Sequence, residues 1–229
     1  MFSVYYDKKI APEVLRLSKI NINFHAGRLP EYRGCFSSVW SIINDEKKTA
    51  STAHIMEESV DTGDIVGVKE VEIKPDDTGK ELYFRVTEAT TQLFKEIHES
   101  LKKGKLKREP QPKGGHYYPR ALPFDGIINW SESATFIHNF IRAIYFPPYL
   151  PAKTYFRGEG IYIYESSIAK GDYAGFEPGQ ICDIDDKGII VETKKGGILI
   201  EKVQIDKKDA SIRDFVRGYG VKIGDFLGK

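Results

Sequence analysis

The chain changes texture once, and that change limits the folds open to it. Up to Gly104, short apolar strands take turns with helical patterns. From about Tyr155 onward the sequence is a series of short strands broken by glycine: TYFRGEGIYIYE, QICDIDDKGIIVET and GGILIEKVQI. Alternating strand and helix builds a sheet covered by helices, whereas closely spaced short strands build a small antiparallel barrel. The sequence therefore predicts an α/β part followed by a β part.

Within the first part, MFSVYYDKKI reads as a strand running into a turn. Ala11-Pro12-Glu13 opens a short helix through Leu17, since proline is tolerated in a first helical turn. Ile20 to Phe24 alternates as a second strand, and the loop from His25 to Gly34 holds two glycines and a proline. Phe36 to Asn44 has helical spacing, with Val39, Trp40, Ile42 and Ile43 as its expected buried face. Strands are expected over 49–56 and 65–73, on either side of the Glu57–Gly63 loop. Thr78 to Gly104 is the longest helical pattern, striped by Leu82, Val86, Leu93, Ile97 and Leu101. Residues 105–126 carry four prolines and the Gly114-Gly115 pair, and read as a crossing segment without regular structure. A further helix is expected over Ser131 to Ile144, capped by Ser131. The predicted domains are residues 1–105, a connecting segment and helix over 106–150, and a small barrel over 151–229.

Composition removes several classes of function. Thirty-four basic residues balance 33 acidic ones, giving a net charge of +1 that requires neither a nucleic-acid nor a membrane partner. No apolar run approaches the ~20 residues of a membrane helix. The first residues lack the apolar centre of a secretory signal. Cys35 and Cys182 lie far apart with no metal-ligand spacing, as expected of reduced thiols in a cytoplasmic protein.

The residues with chemical promise sit at strand ends. Asn23 and His25 are two apart on a strand, so both side chains project to one face. Ligands of α/β sheets bind at strand ends. Asp61, in Asp61-Thr62-Gly63-Asp64, supplies a carboxylate from another loop. An amide can donate to a developing oxyanion, an imidazole can move a proton, and a carboxylate can orient the imidazole; together they suit acyl transfer. Each feature alone is weak, because a strand-end histidine is usually structural and DTGD is usually a turn.

Taken together, Asn23-x-His25, the LPEYRG loop from Leu29 to Gly34 and SVDTGDI resemble the 10-formyltetrahydrofolate-dependent formyltransferases. That family spans methionyl-tRNA, glycinamide ribonucleotide and amino-sugar enzymes. GQICDIDDKGIIVET and RGYGVKIGDFLG resemble its accessory domain, so the likeness covers nearly the whole chain. The resemblance implies a Rossmann-like sheet followed by an OB-like β-barrel, with Asn23, His25 and Asp61 as catalytic trio and no need for a metal. Asn23 would stabilise the tetrahedral oxyanion. His25 would take the amine proton or steady the same charge, and Asp61 would hold His25 and help return a proton to the leaving folate nitrogen. Formyltetrahydrofolate would lie against Lys8, Ile10, Glu58 and Val60, largely through main-chain atoms; for Lys8 a solvated turn is as good a reading of the side chain.

One departure concerns the start. The family has a glycine-containing strand–helix–strand unit ahead of the segment at which this sequence begins, so the expected sheet lacks its N-terminal strands. That predicts a truncated or misassigned start, a segment that completes the sheet, or an edge covered by a second subunit in a homodimer.

For the acceptor, Tyr117 to Gly126 followed by Ile128-Asn129-Trp130 resembles the linker of nucleotide-linked amino-sugar N-formyltransferases. Phe146-Pro147-Pro148-Tyr149 resembles the apolar loop beside their sugar pocket. On that reading Tyr118, Arg120, Arg142 and Phe146 bind the substrate, the two arginines pairing with a diphosphate. The plainer reading packs them at a domain junction or in ion pairs. A methionyl-tRNA enzyme is the alternative, although near-neutral charge weighs against tRNA. A non-catalytic module binding folate or nucleotide is the third reading. Among the other histidines, His54 is expected to be a packed strand residue, with lining of the pocket as its second reading; His98 and His138 are expected on helix surfaces, and His116 as a solvated loop residue beside the Tyr-Tyr pair, with a substrate contact as its second reading.

Overall fold

The computed structural model describes residues 1–6, 8–171, 173, 175–205 and 208–228. The chain folds as two compact units. Met1–Ser41, Glu46–Pro75 and Glu81–Ala121 form the first, and Ile42–Asp45, Asp76–Lys80 and Leu122–Lys229 the second.

The first unit is a mixed sheet with helices. In chain order it holds β1 (Phe2–Val4), α1 (Pro12–Leu15), β2 (Ile22–His25), β3 (Tyr32–Gly34), most of α2 (Ser37–Ile43), β4 (Lys48–Ile55), β5 (Ile65–Glu72), most of α3 (Gly79–Lys102) and β6 (His116–Tyr118). The main sheet has the order β1-β2-β4-β5. β1 runs parallel to β2, while β2–β4 and β4–β5 are antiparallel. Among the described residues β1 is an outer strand of this sheet, with Phe2 and Val4 exposed. Ile22 and Phe24 of β2 pack with Ala53 of β4 and with Leu93 and Ile97 of α3. Because side chains alternate, that apolar packing turns Asn23 and His25 to the other face of the sheet.

Three sequence expectations change here. α1 ends at Leu15, and Leu17 is left 85% exposed. α2 buries Ser37, Ser38 and Ser41 with Ile42 and Ile43, while Val39 and Trp40 are only half-buried. Its serines bond inward: Ser37 Oγ donates to Tyr32 O at 3.0 Å, and Ser41 Oγ to Ser37 O at 2.8 Å. A count of apolar residues misses such a face, since a hydroxyl that finds a carbonyl is buried at little cost. The crossing segment also contains a strand, β6, which pairs in parallel with β3.

The second unit holds α4 (Ala134–Ile144), β7 (Ala152–Phe156), β8 (Glu159–Ile168), β9 (Ile181–Ile184), β10 (Ile189–Glu192), β11 (Gly197–Ile205), β12 (Lys208–Ser211) and α5 (Ile212–Tyr219). Its sheet has the order β7-β8-β11-β10-β9, with β12 also paired to β11. The open path is bridged by the chain's last turn: Phe226 pairs with Gln180 and Leu227 with Phe156, joining the ends of the path. Ile161, Ile163, Ile181, Ile189, Val191, Ile198 and Ile200, all nearly inaccessible, fill the interior. α4 packs on β8 and β11, and is capped by Ser133, whose side chain accepts from Phe136 N, instead of by Ser131. α5 was not evident from the sequence. It is capped by Ser211, buries Ile212 and Phe215, and ends at Gly220 with φ +60°. Among the described residues no helix is long and apolar enough to cross a membrane.

Candidate active site

The site of interest lies in the first unit, where the end of β2, the start of β4's following loop, and β3 meet. Asn23 and His25 project from the same face of β2. Asp61 arrives from the loop between β4 and β5. Its carboxylate stands between the other two: Oδ2 is 3.5 Å from His25 Nδ1, and Oδ1 accepts from Asn23 Nδ2 at 3.4 Å. His25 and Asp61 are each about 7% exposed, so the charge they share is largely shielded from water.

Asp61 is held by its backbone as much as by its side chain. Its φ of +56° is a left-handed conformation uncommon outside glycine. Arg33 Nε donates to Asp61 O at 3.1 Å, and Gln111 Nε2 donates to the same oxygen at 2.9 Å and to Gly63 O at 2.8 Å. Arg33 Nη2 in turn donates to Gln111 Oε1 at 2.8 Å. The two side chains clamp the loop in its strained turn. Gly34 completes the setting, for its N–H donates to Asp61 Oδ2 at 2.9 Å. With φ +89°, and a Cβ that would sit 2.1 Å from Tyr118 O, no other residue fits that position unstrained.

These contacts set the protonation states. Burial alone would raise the Asp61 carboxyl, but the hydrogen bond from His54, the nearby His25 and the Gly34 N–H outweigh it and hold the group down to about 2. Burial pushes His25 below its ordinary value of 6.5, with Asp61 opposing. His25 Nε2 is 2.6 Å from Tyr32 O, which can only accept, so the imidazole carries its proton there. Neutral His25 therefore presents an unprotonated Nδ1 toward Asp61. A proton arriving at Nδ1 would be met by a carboxylate already in place, which is what a general base requires.

The expected folate contacts fall on both sides of this cluster in sequence. Glu58 and Val60 are exposed on the Asp61 loop, while Lys8 is exposed and Ile10 half-buried in the segment after β1. The expected acceptor residues are divided between the two units. Tyr118, at the end of β6, is stacked with Tyr32 (5.6 Å, 9°) and Trp40 (4.7 Å, 27°). Arg120 is exposed in the first unit. Arg142 belongs to the second unit and is buried. Its Nη1 donates to Asp77 O at 2.7 Å and its Nε to Asn139 Oδ1 at 3.0 Å, so much of its donor capacity is spent inside the protein. Phe146, also in the second unit, meets Tyr149 edge-on at 5.9 Å.

Sequence reasoning missed Arg33 and Gln111, and ranked His54 as a packed strand residue ahead of a pocket-lining one. Arg33 lies in the LPEYRG loop that signalled the site, so a closer reading of that loop could have raised it. Gln111 carries no such signal, because it reaches Asp61 from fifty residues away through the chain's folding.

Residues 1–97 match the formyl transferase model, and residues 123–220 match the formyl transferase C-terminal domain. The methionyl-tRNA formyltransferase of Ruminiclostridium cellulolyticum is 33% identical over 233 residues, covering 100% of this chain and 74% of that protein. The methionyl-tRNA formyltransferase of Clostridium acetobutylicum is 35% identical over 227 residues, covering 98% and 72%. Among solved structures, a sugar 3-N-formyltransferase crystallised with dTDP and 5-N-formyl-THF superposes with a TM-score of 0.70 at 25% identity, over 87% of this chain and 71% of that one. The N-formyltransferase of Helicobacter canadensis shares the fold, with a TM-score of 0.68 at 23% identity over 87% and 72%. The chain belongs to the formyltransferase family. It is an enzyme of that family by both its N-terminal and its C-terminal parts.

Proposed function

We propose that this protein transfers a formyl group from 10-formyltetrahydrofolate to a primary amine, with Asn23, His25 and Asp61 as its catalytic residues. The observation that carries the reading is the convergence of an amide, a neutral imidazole and an ionised carboxylate in one shielded cluster of the first unit. The amine attacks the formyl carbon held on the folate N10. The carbonyl oxygen becomes an oxyanion, toward which Asn23 donates an amide hydrogen. The amine nitrogen then loses a proton, which His25 Nδ1 accepts beside Asp61. Collapse of the tetrahedral intermediate breaks the carbon–N10 bond, and the same proton is delivered to the departing nitrogen. Atoms balance without any metal. Lys8, Ile10, Glu58 and Val60 remain the proposed folate contacts.

For the acceptor, identity of 33–35% across essentially the whole chain to methionyl-tRNA formyltransferases favours the aminoacyl group of a charged tRNA. A nucleotide-linked amino sugar is the second reading. It is favoured by the superposition on a sugar 3-N-formyltransferase and uses Tyr118, Arg120, Arg142 and Phe146 as substrate contacts. The domain limits 1–105, 106–150 and 151–229 stand as the proposed catalytic domain, connecting segment with its helix, and small β-barrel.

The test is formyl transfer from 10-formyltetrahydrofolate to two panels, methionyl-tRNA and dTDP-linked 3- and 4-amino sugars. Formylmethionyl-tRNA formation with no sugar product supports the first acceptor, and the converse supports the second. Absence of turnover with both, in a protein that binds the folate, would overturn the catalytic reading.

A further inference from the structure

His54 is 2% exposed, and both of its ring nitrogens have polar neighbours. It stands on β4 directly across the antiparallel register from Asn23, so the two side chains share one face of the sheet. Its Nδ1 lies 2.8 Å from Ile55 O. A carbonyl oxygen can only accept, so Nδ1 carries a hydrogen. The other nitrogen, Nε2, is 3.2 Å from Asn23 Nδ2 and 3.2 Å from Asp61 Oδ1. One of those neighbours only donates and the other only accepts. Nε2 satisfies one of them at a time: unprotonated, it accepts from Asn23; protonated, it donates to Asp61.

We propose that His54 is a positioning residue for formyl transfer, acting through Asn23 and Asp61, and that its protonation decides which of the two it holds. The proposal rests on the catalytic reading given above. Its physical content concerns the Asn23 amide, which has two hydrogens. With one bound to His54, the plane of the amide is fixed and its nitrogen, not its oxygen, is turned into the cluster. The second hydrogen, which makes only a long 3.4 Å bond to Asp61 Oδ1, is the one the oxyanion takes. When a proton enters the cluster, the ring exchanges Asn23 for Asp61 and keeps the carboxylate ionised between two imidazoles. The titratable groups facing His54 are Asp61, from the loop, and His25, from β2. A packed strand histidine has no need of two partners with opposite requirements.

The experiment compares wild type, His54→Gln and His54→Ala in formyl transfer across pH, with melting curves to show that each variant folds. Glutamine offers a donor and an acceptor near the place of Nε2 but does not titrate. His54→Gln is expected to keep kcat within about tenfold and both KM values within about twofold, and to change the shape of the kcat–pH profile. His54→Ala is expected to lower kcat about a hundredfold, the size of effect that a misplaced catalytic group produces, again with little change in KM. A wild-type pH profile and kcat in both variants would overturn the proposal while leaving the trio intact. A second readout needs no turnover: 15N NMR of histidine-labelled protein, with the His54 signals identified by their loss in His54→Gln. The expected state has hydrogen on Nδ1, and its Nε2 signal shifts in Asn23→Ala and Asp61→Asn. A neutral ring protonated on Nε2, or signals indifferent to both substitutions, would overturn it even if no acceptor is ever formylated.

Discussion

The two units solve opposite problems with opposite materials. The interior of the second unit is filled by isoleucines, valines and phenylalanines that are nearly inaccessible to solvent. The cluster around Asp61 is built of single, directional bonds: Gly34 to Oδ2, Asn23 to Oδ1, and Arg33 and Gln111 to the backbone oxygen. Apolar burial scales with area and tolerates exchange of one shape for a similar one. Buried polar bonds tolerate little, because a lost partner leaves the other desolvated and unsatisfied. Damage to the barrel should therefore appear as lost stability with the chemistry spared, and damage to the cluster as lost chemistry with the fold largely spared.

The sharpest break on the barrel side is Phe156→Ala. Phe156 is 1% exposed and meets Phe215 at 5.5 Å, so truncation should cost about 3–5 kcal/mol. Denaturant unfolding monitored on the second unit measures it, and folded protein should keep its kcat. The counterpart in the cluster is Asn23→Ala, expected to lower kcat about a hundred- to thousandfold, the usual cost of one oxyanion donor. Its melting temperature should stay near wild type. Near-normal turnover in this variant would remove Asn23 from the mechanism. Gly34→Ala joins the two kinds of damage. Backbone strain at φ +89° and overlap with Tyr118 O should cost about 1–3 kcal/mol, while displacement of the Asp61 donor lowers kcat as well.

Acidification acts more gently and on both units, since burial also pushes His138 of the second below its ordinary value. His25 is pushed down from 6.5 in the folded state, so below pH 6.5 the unfolded chain binds the extra proton first and stability falls as pH drops. Asp61 adds to this lower down: its stabilisation is full above the unfolded value of 3.8 and is lost as pH falls through about 2. Melting of the first unit between pH 8 and 5 should show the first effect, and His25→Asn should flatten it. At the small end, Lys102→Ala removes an exposed pair with Glu99 at 2.9 Å and should change stability by less than about 0.5 kcal/mol. A larger change would mean that surface charge matters more here than the contrast between units allows.

Much of this site was legible in the sequence because it is encoded locally. The two-residue spacing of Asn23 and His25 sets their shared face, and glycine and aspartate mark the strained loop. The longest helix was legible for the same reason, since Leu82, Val86, Leu93 and Ile97 repeat at helical spacing and all are buried. α2 was misread on its buried face because serines that bond inward look like surface residues. β6 and α5 were missed because three residues paired to a distant strand, and eight residues with only two buried side chains, give too little periodicity to detect.

What the sequence determined by itself was the chemistry available at two strand ends, the change from helix-covered sheet to short-stranded barrel, and the family to which both belong. Tertiary structure alone decided that His54 stands across the sheet from Asn23, that Gln111 returns over fifty residues to Asp61, and that Arg142 spends its donors on Asp77 and Asn139. The physical reason is range. Periodicity and turn preference act over a few residues, whereas the partner of a buried donor is fixed by strand register and by which distant segment the folded chain brings within 3 Å.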